Sequence, residues 1–442
     1  MRNRQEFKTT EIGKIPKEWE EVKLGEVVEI NKESIDPTRA FPDKKFFYID
    51  IDSVENGTGT VRDVKQILGK DAPSRARRII HYNNVLMSTV RPYLKAFTIV
   101  PKNLNNQICS TGFAVLSCKE PIFPQFLLYT LFTKSVIEQC TRMMRGGQYP
   151  ALNVNQVSNI KLPLPPLLEQ QKIAEILSTA DEAIQKVDEA IEKNERLKKG
   201  LMHELLTGKK RVKLVKESGA SESQGIKWKG VKESEGQDST DLGHTDFQTY
   251  KVTEIGSIPK EWEVVRLGEI CEFFDHKRIP LKEQDRAKRK GNVPYYGAQG
   301  IIDWVDRYIF DGDYILLAED GENLRSRKLP VAYKVSGKFW VNNHAHVLKI
   351  ANKINDNYFL SVLNFINLSQ FIVGSAQPKL NQADAKKIKL LIPSLPEQQK
   401  ISEILSTVDK KLELLRERKE RFERIKKGFM NDLLTGRKRV TF

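Results

Sequence analysis

The stretch EIGKIPKEWEEVKLGE, residues 11–26, returns as EIGSIPKEWEVVRLGE at residues 254–269, with 13 of 16 positions identical. Self-similarity of this kind is the signature of an internal repeat, and it decides how the rest of the chain is divided. Each copy carries a tryptophan, Trp19 or Trp262, in identical surroundings. We expect both tryptophans to be core anchors of two equivalent structural frames.

Two further pairs of matching segments confirm the duplication. EQQKIAEILSTA from Glu169 matches EQQKISEILSTV from Glu397, and LLTGKKRV from Leu205 matches LLTGRKRV from Leu433. Between the opening and closing motifs the halves hardly resemble each other, since one contains MSTVRPYLKAFTIV and the other YYGAQGIIDWVDRYIFDGDYILLAEDG. The pattern predicts two modules that are held in the same way but contact different things.

The bulk composition indicates an ordinary globular protein. The 442 residues suffice for two or three domains, and 39% are apolar against 30% charged. No apolar run reaches the length of a membrane span, and the N-terminus lacks the apolar core of a secretory signal. We therefore expect a cytoplasmic protein with no membrane partner.

The net charge points to a polyanionic partner. The formal charge is +15, and a basic surface attracts nucleic acid by steering and by counterion release. Cys109, Cys118, Cys140 and Cys271 form no CxxC pair, so they are interpreted as small buried hydrophobes.

Two long helices follow from apolar residues at steps of four and three. Each segment begins after a proline-rich stretch and ends before Gly208 or Gly436. The seam residues are Ile173, Leu177, Ala180, Ile184, Val187 and Ile191 in the first helix, and Ile401, Leu405, Val408, Leu412 and Leu415 in the second. Such a narrow stripe needs a partner, and the nearest candidate is the other repeat.

Chain direction favours an antiparallel helical pair that spaces the two modules. The C-terminal LLTGRKRV would then lie near the N-terminal opening motif. Lys419 and Asn194 interrupt the seam, and either they set the helix register or they are solvated near fraying ends. Two roles remain open for the EQQK motif: docking of a partner protein, or ordinary initiation of the helix.

Two basic modules at a fixed separation suit two half-sites on duplex DNA. Arg and Lys can contact phosphates or guanine, and Gln can pair with adenine. The candidate DNA-binding residues are Arg75, Arg77, Arg78, Arg91, Tyr93, Lys95, Arg142, Arg145, Gln148 and Tyr149 in the first module, and Lys277, Arg278, Arg286, Lys288, Arg289, Lys290, Gln377 and Lys379 in the second.

Taken together, these motifs resemble the specificity (S) subunits of type I restriction-modification enzymes. The resemblance rests on IPKEWE-x2-(K/R)LGE, STVRPYL, YYGAQGIIDW, VNNHAH, EQQKI-x-EIL and LLTG(K/R)KRV, and it covers nearly the whole chain. It implies an α+β protein in which two globular target-recognition domains are separated by long antiparallel coiled-coil helices, with a pseudo-twofold internal repeat.

The resemblance also implies partners, whereas the repeats and the composition set the boundaries. Double-stranded DNA, two methyltransferase subunits and the restriction subunits would bind, while the chain itself would be non-catalytic, without metal or cofactor. The expected divisions are 1–160 for target-recognition domain 1, 161–212 for spacer helix 1, 213–250 for a polar linker, 251–388 for target-recognition domain 2 and 389–442 for spacer helix 2.

Three alternative interpretations remain. Asp52, Asp63 and Lys65 give the D-x10-D-x-K spacing of a self-contained nuclease. His344 and His346 could share a strand face and chelate a metal, although a hydrogen-bonded pair is favoured. A coiled-coil scaffold without DNA would explain the helices but not two divergent basic modules.

Overall fold

The computed structural model describes residues 6–144, 150–212 and 250–440. These residues form two compact units. Unit 1 holds the chain up to Glu189 together with the stretch from Leu415 onward, and unit 2 holds Ala190 to Leu414. Residues 213–249 of the predicted linker lie outside the described residues.

Unit 1 contains the first module. Its described strands are β1 (Phe7–Thr10), β2 (Gly13–Pro16), β3 (Glu20–Lys23), β4 (Val28–Ile30), β5 (Lys45–Ile49), β6 (Lys65–Leu68), β7 (Ala76–Ile80), β8 (Val85–Ser88), β9 (Phe97–Ile99), β10 (Gln107–Ser110), β11 (Phe113–Cys118) and β12 (Lys161–Leu164). Its described helices are α1 (Leu24–Val27), α2 (Pro37–Ala40), α3 (Pro124–Leu131), α4 (Lys134–Met143), α5 (Val154–Ser158) and the first part of α6 (Leu167–Leu206).

Two four-stranded sheets form the body of unit 1, in the orders β6-β5-β10-β7 and β4-β11-β8-β9. Alternate residues of β8 face opposite ways, as the pleat requires. Val85 and Met87 pack in the core with Phe126 of α3, whereas Leu86 packs with Ile49 of the other sheet. The second sheet is therefore covered by helices on one face and by the first sheet on the other.

Unit 2 contains the second module. Its described strands are β13 (Tyr250–Thr253), β14 (Gly256–Pro259), β15 (Glu263–Arg266), β16 (Cys271–Phe273), β17 (Lys290–Gly297), β18 (Gly300–Val305), β19 (Phe310–Asp311), β20 (Tyr314–Ala318), β21 (Ala332–Val335), β22 (Lys338–Val341), β23 (Ala345–Ile350) and β24 (Lys389–Ile392). Its described helices are α7 (Leu267–Ile270), α8 (Glu283–Lys288), α9 (Asn323–Ser326), α10 (Asp356–Phe365), α11 (Gln382–Ala385) and the first part of α12 (Leu395–Leu433).

The sheets of unit 2 have the same topology as those of unit 1. Their orders are β18-β17-β22-β19 and β16-β23-β20-β21. In both units the second and third strands of the first sheet, β5 with β10 and β17 with β22, pair in parallel. The two interiors share one fold, although their sequences differ too much to show it.

The repeated opening motif builds the same frame in each unit. β3 pairs with β12 in unit 1, and β15 pairs with β24 in unit 2, both antiparallel. Trp19 and Trp262 are fully buried, which confirms their prediction as core anchors.

The long helices α6 and α12 have 40 and 39 residues. Their seam residues are buried or half-buried throughout, as predicted. Gly208 and Gly436, just beyond the helix ends, have φ of +72° and +66°, a left-handed conformation that favours glycine. A Cβ at these positions would also collide with Pro259 and Pro16, respectively. The predicted helix ends are therefore correct.

Ion pairs fix the helix register inside each unit. In unit 1, Lys426 pairs with Asp181, and Lys419 pairs with Asp188 at 2.7 Å. A step of seven residues forward on α6 is thus a step of seven backward on α12, so the helices are antiparallel. In unit 2, Lys198 pairs with Asp409. Lys419 therefore makes an interhelical contact, whereas the buried Asn194 donates to Ala190 of its own helix.

Each unit is closed by an arginine that follows a long helix. In unit 1, Arg439 donates to the buried carboxylate of Glu169, which also accepts a hydrogen bond from Trp19 Nε1. In unit 2, Arg211 donates to Glu397, which accepts from Trp262 Nε1. The C-terminal motif lies beside the N-terminal one in unit 1, as predicted.

The first two residues of the EQQK motif are buried near the start of each long helix. Glu169 and Gln170 are almost fully buried, and Gln170 bonds to Phe123 and to the carbonyls of Pro121 and Pro165. This geometry agrees with helix initiation for the first half of the motif. Among the described residues, no helix is long and apolar enough to span a membrane.

Candidate nucleic-acid interface

The predicted STVRPYLK segment forms a tight turn in unit 1, at which Tyr93 and Leu94 are exposed. Arg91 and Lys95 have positive φ and bracket the turn 92–94. The backbone of this loop is tied to residues 150–152, because Arg91 N donates to Pro150 O at 3.0 Å and Leu152 N donates to Thr89 O at 2.9 Å. Helix α4, which carries the exposed Arg142, packs against the same turn.

A second backbone connection brings Arg75 to this loop. Thr111 N donates to Arg75 O at 2.8 Å, and Thr89 donates to Gly112 O through both its N and its Oγ1. We call the edge formed by Arg75, Thr89, Arg91 and the turn 92–94 rim 1. Tyr93 on this rim is 43% exposed and Arg75 is exposed, so rim 1 presents both cationic and aromatic groups.

Other candidates of the first module are engaged within the unit. Arg77 pairs with Asp36 at 3.4 Å, and Lys95 donates to the Phe132 carbonyl at 3.3 Å. Burial lowers the pKa of Arg78, whose buried Nε has no hydrogen-bond partner among the described atoms. Arg145, Gln148 and Tyr149 lie outside the described residues.

In unit 2 part of the basic segment 277–290 lies beside β18, because helix α8 packs against this strand and Lys290 pairs with its Asp303. Lys277 lies 4.9 Å from the ring centre of Phe274, and Lys288 is exposed. Arg286 and Lys290 donate to opposite oxygens of Asp303, at 3.0 and 2.6 Å. The Lys290 hydrogen bond, followed by that from the Trp304 backbone, holds the pKa of Asp303 at about 2.

The SAQPKLN segment lies against the 319–325 segment. Gln377 is exposed, while Lys379 is about half exposed and lies 3.3 Å from Glu319. Arg325 donates to the carbonyls of Gly374 and Ser375, which fixes the start of the segment. Asn381 directly precedes α11, and the Asn153 side chain caps α5 in unit 1 by accepting from Gln156 N, so an asparagine stands at the start of a short helix in both units.

A buried polar cluster lies beneath this segment. His346 Nδ1 is 2.6 Å from Asp275, and its Nε2 donates to the Leu380 carbonyl at 2.8 Å. Gln382 also donates to Asp275, so the 275–278 and 380–382 segments are joined through one carboxylate. Burial alone would raise the pKa of Asp275, but the His346 hydrogen bond and further contacts outweigh it and leave the pKa lowered.

The cluster of Asp275, Glu319 and His346 has the composition of a metal site. Both of its carboxylates already have a cationic partner, however, because Arg278 donates to Glu319 at 2.6 Å and lies 3.6 Å from Asp275. Both nitrogens of His346 have protein partners. The cluster therefore works as an ion-pair network that places Arg278 inside the module.

The other chemical candidates are also engaged elsewhere. His344 is half exposed and pairs with Asp320 at 2.6 Å, so the two histidines hold separate carboxylates. Lys65 of the D-x10-D-x-K pattern donates to Asp50 at 3.0 Å, a residue outside that pattern. Sequence reasoning missed the Asp275 and Glu319 network, although the two histidines of NNHAH signalled a polar interior at that strand.

Two modules of one fold, each with exposed cationic side chains on loops, define a class of protein with paired recognition domains. The protein-family model described as the type I restriction modification DNA specificity domain matches residues 16–195 and again residues 259–424. The chain therefore belongs to the family of type I restriction-modification DNA specificity proteins.

Individual relatives agree with this family over the full length. A candidate type I restriction enzyme specificity subunit of Methanocaldococcus jannaschii, MjaX, is 28% identical, and the match covers 99% of this chain and 97% of that protein. The MjaVIII specificity subunit of the same organism is 25% identical over 99% of this chain and 96% of its own. The crystal structure of the S subunit from M. genitalium has a similar fold, with a TM-score of 0.57, 17% identity and coverage of 94% of this chain and 96% of that chain.

Proposed function

We propose that this chain is the specificity subunit of a type I restriction-modification enzyme and that each module reads one half of a split DNA site. The observation that carries the proposal is the pairing of one shared topology with two different exposed surfaces. A fold repeated for packing alone has no reason to diverge at its exposed loops while its frame stays nearly identical. Two different half-sites require that pattern.

The candidate DNA-contacting residues divide by their geometry. In the first module Arg75, Arg91, Tyr93 and Arg142 are carried by rim 1 or by the helix that packs on it. In the second module Lys277, Lys288 and Gln377 are exposed. These side chains are our choice for direct contact, whereas Arg77, Arg278 and Arg286 are engaged by carboxylates of their own unit and Arg78 is half-buried.

The chain supplies specificity, and partner subunits supply chemistry. In this proposal the methyltransferase subunits, two per chain, and the restriction subunits bring S-adenosylmethionine, ATP and Mg²⁺, and the complex works in the cytoplasm. Exposed apolar residues on the helices offer docking surface. In unit 1 a groove of about 320 Å³ is lined by residues that include Ile176, Phe422, Ile425 and Phe429.

A methylome tests the proposal. The chain would be expressed with the methyltransferase encoded beside it in a host without that modification, and methylated bases would be mapped across the genome. We expect a split motif, two defined blocks around an unspecified gap, that disappears when this chain is omitted. Methylation that persists without the chain would refute the proposal and favour a scaffold without DNA contact.

Rim 1 is tested by the salt dependence of DNA binding, with Arg75→Ala compared against Arg39→Ala. Arg39 is an exposed arginine of α2 and is outside rim 1. Loss of one phosphate contact lowers the slope of log affinity against log salt by about 1. We expect that change for Arg75→Ala and none for Arg39→Ala; equal slopes for both variants would remove Arg75 from the interface.

A further inference from the structure

Strand β18 exposes three large apolar side chains on an open sheet edge. It is the outer strand of the sheet β18-β17-β22-β19. Ile301, Ile302 and Trp304 are 46%, 52% and 48% exposed. Outer strands of soluble proteins are ordinarily protected by charge, because an apolar edge invites association. This edge therefore has the character of a contact surface.

The equivalent strand of unit 1 has the opposite character. β6 occupies the same place in the sheet β6-β5-β10-β7, and it exposes Lys65 and Gln66 while Ile67 and Leu68 are half-buried. A partner that binds both modules alike would require similar edges. If each module binds a different partner surface, the two edges must differ. In the proposed function that surface is the DNA half-site, which is different for each module.

The surroundings of β18 are basic. Helix α8 packs against this strand, and the segment 283–290, which contains α8, carries four Lys or Arg against two acids. The carboxylate of β18 itself, Asp303, is paired with both Arg286 and Lys290. Lys288 at the end of α8 is exposed. An apolar strip with a cationic border matches DNA, whose bases and sugars are apolar in part and whose borders are phosphates.

We propose that β18 is a specificity-determining DNA contact of the second module. Ile301, Ile302 and Trp304 contact base edges, thymine methyls or sugars in a groove, and Lys288 contacts a neighbouring phosphate. Apolar side chains serve this purpose in other groove-binding proteins, where they pack on or between bases. The inference rests on the proposed function and adds to it the element that reads the second half-site.

The test compares Trp304→Ala, Lys288→Ala and Gln66→Ala, each in complex with the methyltransferase encoded beside the chain. Binding to a duplex that contains the mapped split site is measured at several salt concentrations. We expect Trp304→Ala to weaken binding by about tenfold or more with an unchanged salt slope, since an apolar contact releases no counterion. Lys288→Ala lowers the slope by about 1, and Gln66→Ala, the matched edge of unit 1, leaves both quantities unchanged.

Methylation of a library with a randomised second half-site supplies the specificity readout. Trp304→Ala should relax sequence preference in that block and leave the first block intact. Parental binding and preference in Trp304→Ala would overturn the inference, as would loss of methyltransferase binding with DNA contacts unaffected. Trp304→Phe, which keeps an aromatic ring, should restore most of the affinity if the variant is folded. Absence of any split motif in the parent would instead refute the proposed function.

Discussion

The Arg439 guanidinium donates from Nε and Nη2 to the two carboxylate oxygens of Glu169, at 2.5 and 2.8 Å, across 270 residues of sequence. Glu169 is 1% exposed, so its charge has little water to stabilise it. The same carboxylate accepts from Trp19 Nε1 at 3.0 Å. One side chain thus fixes the start of α6, the opening motif and the residues that follow α12. Unit 1 is thus closed by the stretch that follows α12.

Removal of Arg439 should destabilise unit 1. Arg439→Ala leaves the buried Glu169 carboxylate without its cation, and breaking such a pair costs about 3 to 5 kcal/mol. The matched variant is Arg211→Ala, which removes the equivalent pair with Glu397 in unit 2. We expect each variant to lower the unfolding temperature of its own unit in calorimetry. A Glu169→Gln variant should lose less, and wild-type stability in both arginine variants would contradict the closing role.

Extension of the helical pair should widen the gap between half-sites. Seven residues are inserted between Asp188 and Lys198 in α6 and seven between Asp409 and Lys419 in α12, which keeps the ion pairs of each unit. Each insertion adds about 10 Å of helix, or about three base pairs of DNA at 3.4 Å per pair. The methylome should show the same two blocks with a longer gap. An unchanged gap in a stable, active variant would show that the helices do not measure distance.

The four cysteines should be unreactive in the native protein. Burial raises the pKa of Cys118, Cys140 and Cys271 to about 12, and it also raises the pKa of Cys109. Only the thiolate attacks disulfide reagents. Because these pKa values lie far above 8, almost no thiolate is present at pH 8. We expect no rapid thiol reaction in buffer and four reacting thiols per chain in denaturant. A rapid reaction of one thiol in buffer would identify an exposed cysteine.

Acid should weaken unit 2 through Asp275. Its pKa is lowered in the folded state, so its ionised form stabilises the fold above the usual value of 3.8, and this contribution is lost as the pH falls below that value. Asp275→Asn should therefore cost roughly 2 kcal/mol at pH 6 and progressively less below pH 4. Unfolding by denaturant at several pH values measures the difference. A constant difference at all pH values would remove Asp275 from the account of acid sensitivity.

Much of the frame could be predicted because its contacts repeat in sequence. The identical surroundings of Trp19 and Trp262 indicated one structural role, and the seven-residue pattern of the helices indicated their seam. The glycines at positions 208 and 436 indicated the ends of the two helices, and both adopt the left-handed conformation that such ends favour. These features depend on local sequence, in which backbone preference and helical period act directly.

The module interiors could not be predicted, because their order depends on distant pairing. β5 pairs in parallel with β10 about sixty residues away, and no local signal encodes that choice. The shared topology was hidden because buried positions accept many apolar side chains of suitable size. The same limit applies to the arginines: Arg278 resembles a surface cation in sequence, but Glu319 makes it an internal one.

The most direct measurement is a methylome of a chain in which the interior of the first module, residues 28–159, is replaced by that of the second, residues 271–387. Both interiors attach to the same frame strands, β3 with β12 and β15 with β24. We predict that the first block of the motif is lost and that both blocks now carry the second half-site. Retention of the original motif, or loss of both blocks in a hybrid that unfolds like its parent, would contradict independent reading by two modules.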